Sequence, residues 1–133
     1  MTVRRVLTAC ALLVATGCSP EVSEETTVDV RIRFSRFDPD HFGFPAGTTV
    51  TFVVTNRDPI DHELIIGDER VQQVHEEGTE AHHGAKPGEI SIPAGGTRST
   101  TYTFDEPGRL LMGCHLPGHY DYGMRGDIEV SPF

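Results

Sequence analysis

Beyond residue 27 the apolar runs are short, and the first of them alternates: Val28, Val30, Ile32 and Phe34 interleave with Asp29, Arg31 and Arg33. Side chains on a strand repeat every second residue, so this pattern predicts a strand with one buried and one wet face. A sheet made of such strands must cover its apolar face with a second layer. The later runs share this character. Thr49 to Thr55 is rich in β-branched residues, and His62 to Ile66, Glu89 to Ile92, Thr97 to Phe104, Arg109 to Cys114 and Asp127 to Val130 read as further strands. Turn residues divide them at Pro45-Ala46-Gly47, Asn56 to Asp61, Pro93-Ala94-Gly95-Gly96 and Glu106-Pro107-Gly108. Seven to eight strands at this spacing predict an all-β fold, an antiparallel sandwich.

One stretch departs from the pattern. Asp68 to Lys86 is charged and holds few bulky apolar residues beyond Val71 and Val74, so it is expected to be a long inserted loop with room for a helical turn at Glu69 to Glu76.

The beginning of the chain has a different organisation. Met1 to Gly17 carries Arg4 and Arg5, then the mostly apolar Val6 to Ala15, then small residues before Cys18. That is the layout of a secretory signal, and it is too short to span a bilayer. Ala15-Thr16-Gly17-Cys18 resembles a bacterial lipobox, which implies lipid on Cys18 and a membrane-anchored lipoprotein facing the periplasm or cell exterior. An ordinary cleaved signal with an incidental cysteine is the other reading. Ser19 to Thr27 is polar and Glu-rich. The expected organisation is a signal peptide at 1–17, a flexible tether at 18–27 and a single domain at 28–133.

Of the three cysteines, Cys10 would leave with the signal and Cys18 would carry lipid. Cys114 then has no partner for an internal disulfide, so it is either an oxidation liability or held by a metal. The formal charge is −9, and without Arg4 and Arg5 nine basic residues face 20 acidic ones. Nucleic acid is therefore excluded as an expected partner. The acidic surface would steer a cationic redox partner, or simply keep the domain soluble.

The chemistry is concentrated in Leu111-Met112-Gly113-Cys114-His115-Leu116-Pro117-Gly118-His119-Tyr120-Asp121-Tyr122-Gly123-Met124. A thiol, an imidazole and a thioether follow one another at five-residue intervals, with Pro117-Gly118 and Gly123 to turn the loop. A thiolate with imidazole and thioether suits copper, whose cuprous state favours sulfur and whose cupric state favours nitrogen.

This loop resembles that of the cupredoxins, the plastocyanin, azurin and rusticyanin relatives, with a spacing most like rusticyanin. The likeness runs from about Val28 to Val130 and takes in Phe37-Asp38-Pro39 and Pro45 to Val50. It implies a Greek-key sandwich and a further upstream ligand, and His62 in Asn56 to Leu64 has the matching context. The implied centre is one copper ion, Cu(I)/Cu(II), with Cys114 as the most covalent ligand, His62 and His119 completing a plane, and Met124 as a long axial contact. His119 is the implied electron port. Glu63 stands where azurins and plastocyanins carry an Asn that ties the two ligand loops, and it is left outside the expected site.

Five other histidines remain. His115 is expected to point away from the metal and His41 to lie in a solvent-facing loop. His75, His82 and His83, among Glu76, Glu77 and Glu80, are candidates for a weak second metal site or are solvated loop residues. Tyr120 and Tyr122 either flank the electron exit route or pack over the ligand loop, with packing the simpler expectation. No nucleophile and base pair stands out for hydrolysis, so the expectation is a monomeric, non-enzymatic protein that transfers single electrons between an exported donor and acceptor. The alternative is a periplasmic or extracellular copper carrier or buffer.

Overall fold

The computed structural model describes residues 25–78, 83–84 and 86–133. The proposed signal, Cys18 and His82 lie outside the described residues. Two sheets pack face to face. The first has the order β2-β1-β4-β7, from β1 (Glu25–Ile32), β2 (Phe37–Asp38), β4 (Thr48–Asn56) and β7 (Thr97–Phe104). The second has the order β3-β9-β8-β5-β6, from β3 (His41–Pro45), β5 (His62–Gly67), β6 (Glu89–Ile92), β8 (Gly108–Gly113) and β9 (Arg125–Ser131). No helix among the described residues is long and apolar enough to cross a membrane.

The alternation does the expected work in β4, where Val50, Phe52 and Val54 are fully buried between half-exposed neighbours. They meet Leu64, Ile92, Met112 and Ile128 from the other sheet, and each such side chain withdrawn from water contributes about 1.5–3 kcal/mol. An aromatic cluster of Phe42, Phe44, Phe52 and Phe104 fills part of the interior, with ring centroids 5.1–6.4 Å apart.

Four features differ from the sequence-based expectation. The sheets are mixed: β1 runs parallel to β4, and β3 parallel to β9, because the strands brought side by side there come from separate parts of the chain and need no hairpin. The first strand begins at Glu25, so the end of the expected tether pairs with Thr49–Thr51 and belongs to the sheet. That strand stops at Ile32. Phe34, expected to face the core, has φ 55° and is 77% exposed, because its N–H and that of Ser35 turn inward to the Asp58 carboxylate, each at 2.7 Å. His41 opens a strand, although its side chain is exposed as expected.

The insert is more ordered than its composition suggested. Asp68 caps α1 (Glu69–Glu76) by accepting the Val71 N–H at 2.8 Å. Gln72 is buried, and its amide donates to the carbonyls of Ile65 and Leu111 at 3.2 and 3.3 Å. The helix thereby covers the outer face of β5 and β8, which is why every residue of β5 is buried rather than every second one.

Candidate metal centre

At one end of the second sheet, β5 begins at His62, β8 ends just before Cys114, and β9 begins just after Met124. The loop from 114 to 124 is closed by its own backbone: Cys114 N–H to Met124 O at 3.1 Å, Met124 N–H to His119 O at 2.9 Å and His119 N–H to Leu116 O at 2.9 Å. Gly118 and Gly123 have φ of 80° and 95°, a conformation an L side chain resists. The Cys, His and Met spacing therefore encodes two tight turns pinned between two strands.

Across the gap, Asn56 is wholly buried and organises the turn that leads into β5. Its amide donates to the carbonyls of Ile60, Ile92 and Pro93 at 2.8–3.2 Å, while its Oδ1 accepts the Asp58 N–H at 2.9 Å. That turn presents two side chains, Asp58 and His62.

Three donors expected from the sequence meet here. His119 Nδ1 lies 3.3 Å from Cys114 Sγ and 3.3 Å from His62 Nδ1, and His62 Nδ1 lies 4.0 Å from Cys114 Sγ. Bonds of about 2.0–2.3 Å to one central ion separate the ligand atoms by about 3.3–3.7 Å at tetrahedral angles and by up to about 4.0 Å in a trigonal plane, so this donor set fits a metal. Cys114, the one cysteine among the described residues, is fully buried, as is Met124; His62 is 1% exposed and His119 is half-buried. Met124 joins the group through its backbone bonds to both Cys114 and His119.

The sequence reading missed Asp58. Its Oδ2 lies 3.0 Å from His62 Nε2, so the ring donates Nε2–H there and leaves the Nδ1 lone pair facing the thiol. Burial alone raises the Asp58 carboxyl, but the N–H groups of Ser35 and Phe34 and the His62 ring hold it below its ordinary value. Burial lowers the His62 pKa against the pull of Asp58, which favours the neutral imidazole a metal needs. The Cys114 thiol is pushed up to about 11 by burial, although the N–H groups of Glu63 and Leu116 work the other way. A signal for Asp58 was present: a carboxylate four residues before a candidate ligand histidine, in a Pro-containing turn.

Glu63, left out of the expected site, is also corrected. Its Oε1 accepts the His115 N–H at 2.7 Å, so it ties the His62 strand to the Cys114 loop. The carboxylate does with one oxygen what an Asn side-chain carbonyl does. His115 points away as expected, with Nε2 2.7 Å from Gln72 Oε1 and Nδ1 2.6 Å from Glu76 Oε2. Tyr120 stacks on His115 at 4.5 Å, and Tyr122, although 79% exposed, lays its ring over Gly118 of the ligand loop. His75 and His83 come together with Glu89, and His82 lies outside the described residues.

Strand ends that bring a buried thiol and two imidazoles together define a β-sandwich with a sulfur-containing metal-type site. The chain belongs to the plastocyanin/azurin family of copper binding proteins, whose pattern matches residues 24–131. It is similar to the copper-resistant cuproprotein CopI of Rubrivivax gelatinosus, 32% identical over 98 residues, which are 71% of this chain and 59% of the relative. It is also similar to CopI of Pseudomonas aeruginosa, 25% identical over 80% of this chain and 76% of that one. The match thus spans less than two thirds of the Rubrivivax protein. Among solved structures, the reduced auracyanin of Roseiflexus castenholzii superposes with a TM-score of 0.67 at 26% identity, over 80% of this chain and 97% of that one. Auracyanin B superposes with a TM-score of 0.68 at 24% identity, a likeness of fold.

Proposed function

We propose that the chain holds one copper ion with His62 Nδ1, Cys114 Sγ, His119 Nδ1 and the Met124 thioether, and carries single electrons between exported partners. The convergence of both Nδ1 atoms on a buried cysteine sulfur carries this reading. Bound copper would supply a one-electron couple between its cuprous and cupric states. The residues supply the rest. Asp58 fixes the His62 tautomer, Glu63 fixes the spacing between the two ligand segments, and the strand ends keep the donors from rearranging between oxidation states. His119, half-buried where the others are buried, is the proposed port for the electron. The acidic surface favours cationic partners for a monomeric carrier, with no catalytic role. Cys18 is the proposed lipid anchor on the outer side of the membrane; the mass of the mature N-terminal peptide tests this.

A second reading is favoured by the relatives named copper-resistant cuproproteins: a carrier or buffer that gives up its ion. Loading with cupric ion separates the two. An intense thiolate absorption band with reversible one-electron reduction supports electron transfer, and weak colour with ready loss of copper to a chelator supports delivery. A chain that takes up no copper defeats both.

A further inference from the structure

Beside the ligand loop, a cavity of about 440 Å³ is lined by Glu63, His75, His83, Leu116 and Pro117 among others. Two of its lining residues, His75 on the last turn of α1 and His83, face Glu89 at the start of β6, and the His83 backbone is fastened to β6 by exchange with Ser91: His83 N–H to Ser91 Oγ at 2.8 Å and Ser91 N–H to His83 O at 3.1 Å. One ligand atom from each residue falls within a common 4.8 Å.

We infer that His75 Nε2, His83 Nδ1 and the Glu89 carboxylate form a second metal site, one that takes a borderline divalent cation of the zinc type. Both His75 Nε2 and His83 Nδ1 lie 3.4 Å from Glu89 Oε2. That is longer than a good hydrogen bond. The same chain shows what a bonded histidine and carboxylate look like, at 2.6 Å in His41 with Asp127 and in His115 with Glu76. Two ligands bound to one tetrahedral zinc at about 2.0–2.1 Å are separated by about 3.3–3.4 Å, which is the spacing found here.

The outer nitrogens agree. His75 donates Nδ1–H to the Val71 carbonyl at 2.8 Å, which leaves Nε2 as the lone pair aimed at Glu89. His83 presents Nδ1 to the same Glu89 oxygen, with Nε2 on the side of Glu63 Oε2 at 3.4 Å. The His75 bond is of the kind that holds a ligating histidine, with the far N–H given to a carbonyl or carboxylate. The three side chains are nearly buried, with 3–12% exposure, while the cavity supplies an entry path and a fourth position for water. Lys86 Nζ lies 3.6 Å from Glu89, but that side chain is 61% exposed and can swing outward. Two imidazoles and a carboxylate, without sulfur, suit zinc rather than a cuprous ion. The site is independent of the copper reading, since it shares no ligand with it.

The test uses the full chain loaded with one equivalent of copper and freed of excess. Zinc chloride is then titrated by calorimetry, and bound zinc is counted by mass spectrometry. One zinc per chain is expected, and Glu89→Gln and His83→Ala should each weaken it by at least about a hundredfold while the copper stays bound. Glu89→Gln keeps the residue's size, so it carries the same reading should His83→Ala disturb the fold. No zinc beyond the copper, or a zinc step that survives both substitutions, overturns the site. If the chain takes no copper, the same titration on Cys114→Ser still decides: one zinc that depends on Glu89 upholds the site, and none sinks it.

Discussion

Two histidine clusters sit side by side on the second sheet and differ in one atom. The first joins His62 and His119 to the Cys114 sulfur; the second joins His75 and His83 to the Glu89 oxygen. In each, one ring has its far nitrogen hydrogen-bonded to the protein: His62 to Asp58 and His75 to the Val71 carbonyl. Glu63 stands between the clusters, one oxygen on the His115 N–H and the other facing His83. The scaffold thus repeats one positioning device, and the choice of sulfur or oxygen sets which metal each cluster suits.

The largest expected effect separates them outright. Cys114→Ser should abolish the thiolate-to-copper absorption while leaving zinc uptake at the second cluster intact. Visible spectra with zinc counting check this, and a surviving band would remove Cys114 from the copper reading.

The buried thiol also makes the first cluster sensitive to alkali in a way the second is not. Its pKa is raised by burial from 9.0 to about 11 in the metal-free chain. A raised value means the fold is favoured with the thiol protonated, so that stability is complete below pH 9 and falls as pH rises from 9 through 11. Two pH units correspond to about 2.7 kcal/mol. Urea unfolding of metal-free wild type and Cys114→Ser across that window should show the loss in the former alone. Tyr102, also raised by burial, titrates in both and cancels in the comparison.

A smaller change should follow from the partner behind the ring. Asp58→Asn removes the carboxylate on His62 and should weaken copper binding by roughly ten- to a hundredfold, without moving zinc affinity. Competition with a copper chelator measures it, and an unchanged affinity would mean Asp58 serves only the turn at Phe34 and Ser35. The smallest effect comes from an exposed pair outside both clusters. The Asp127 carboxyl is held low by its hydrogen bond to His41, with Arg109 adding to it, so its contribution is present above the ordinary carboxylate range and is lost as pH falls through the lowered value. Asp127→Asn should cost a few tenths of a kcal/mol at neutral pH by thermal melting, the scale of a surface ion pair.

Much of this was legible in the chain itself. Strand periodicity, the turn residues and the Cys114, His119 and Met124 intervals act over short sequence distances, where backbone sterics and side-chain period leave few choices. The Cys-to-Met loop in particular is closed by bonds among its own residues. Three things required the folded molecule. Parallel pairing of β1 with β4 and of β3 with β9 joins strands with no hairpin between them. Phe34 leaves the core because a carboxylate 24 residues away claims its N–H. Asp58 and Glu63 acquire their roles, and Glu89 joins His75 and His83, only when the sheets close and α1 covers β5. Sequence by itself determined which donors exist and how each local segment bends, because those are properties of neighbouring residues. Tertiary structure decided which donors share a centre, because contacts between distant segments depend on how whole layers pack.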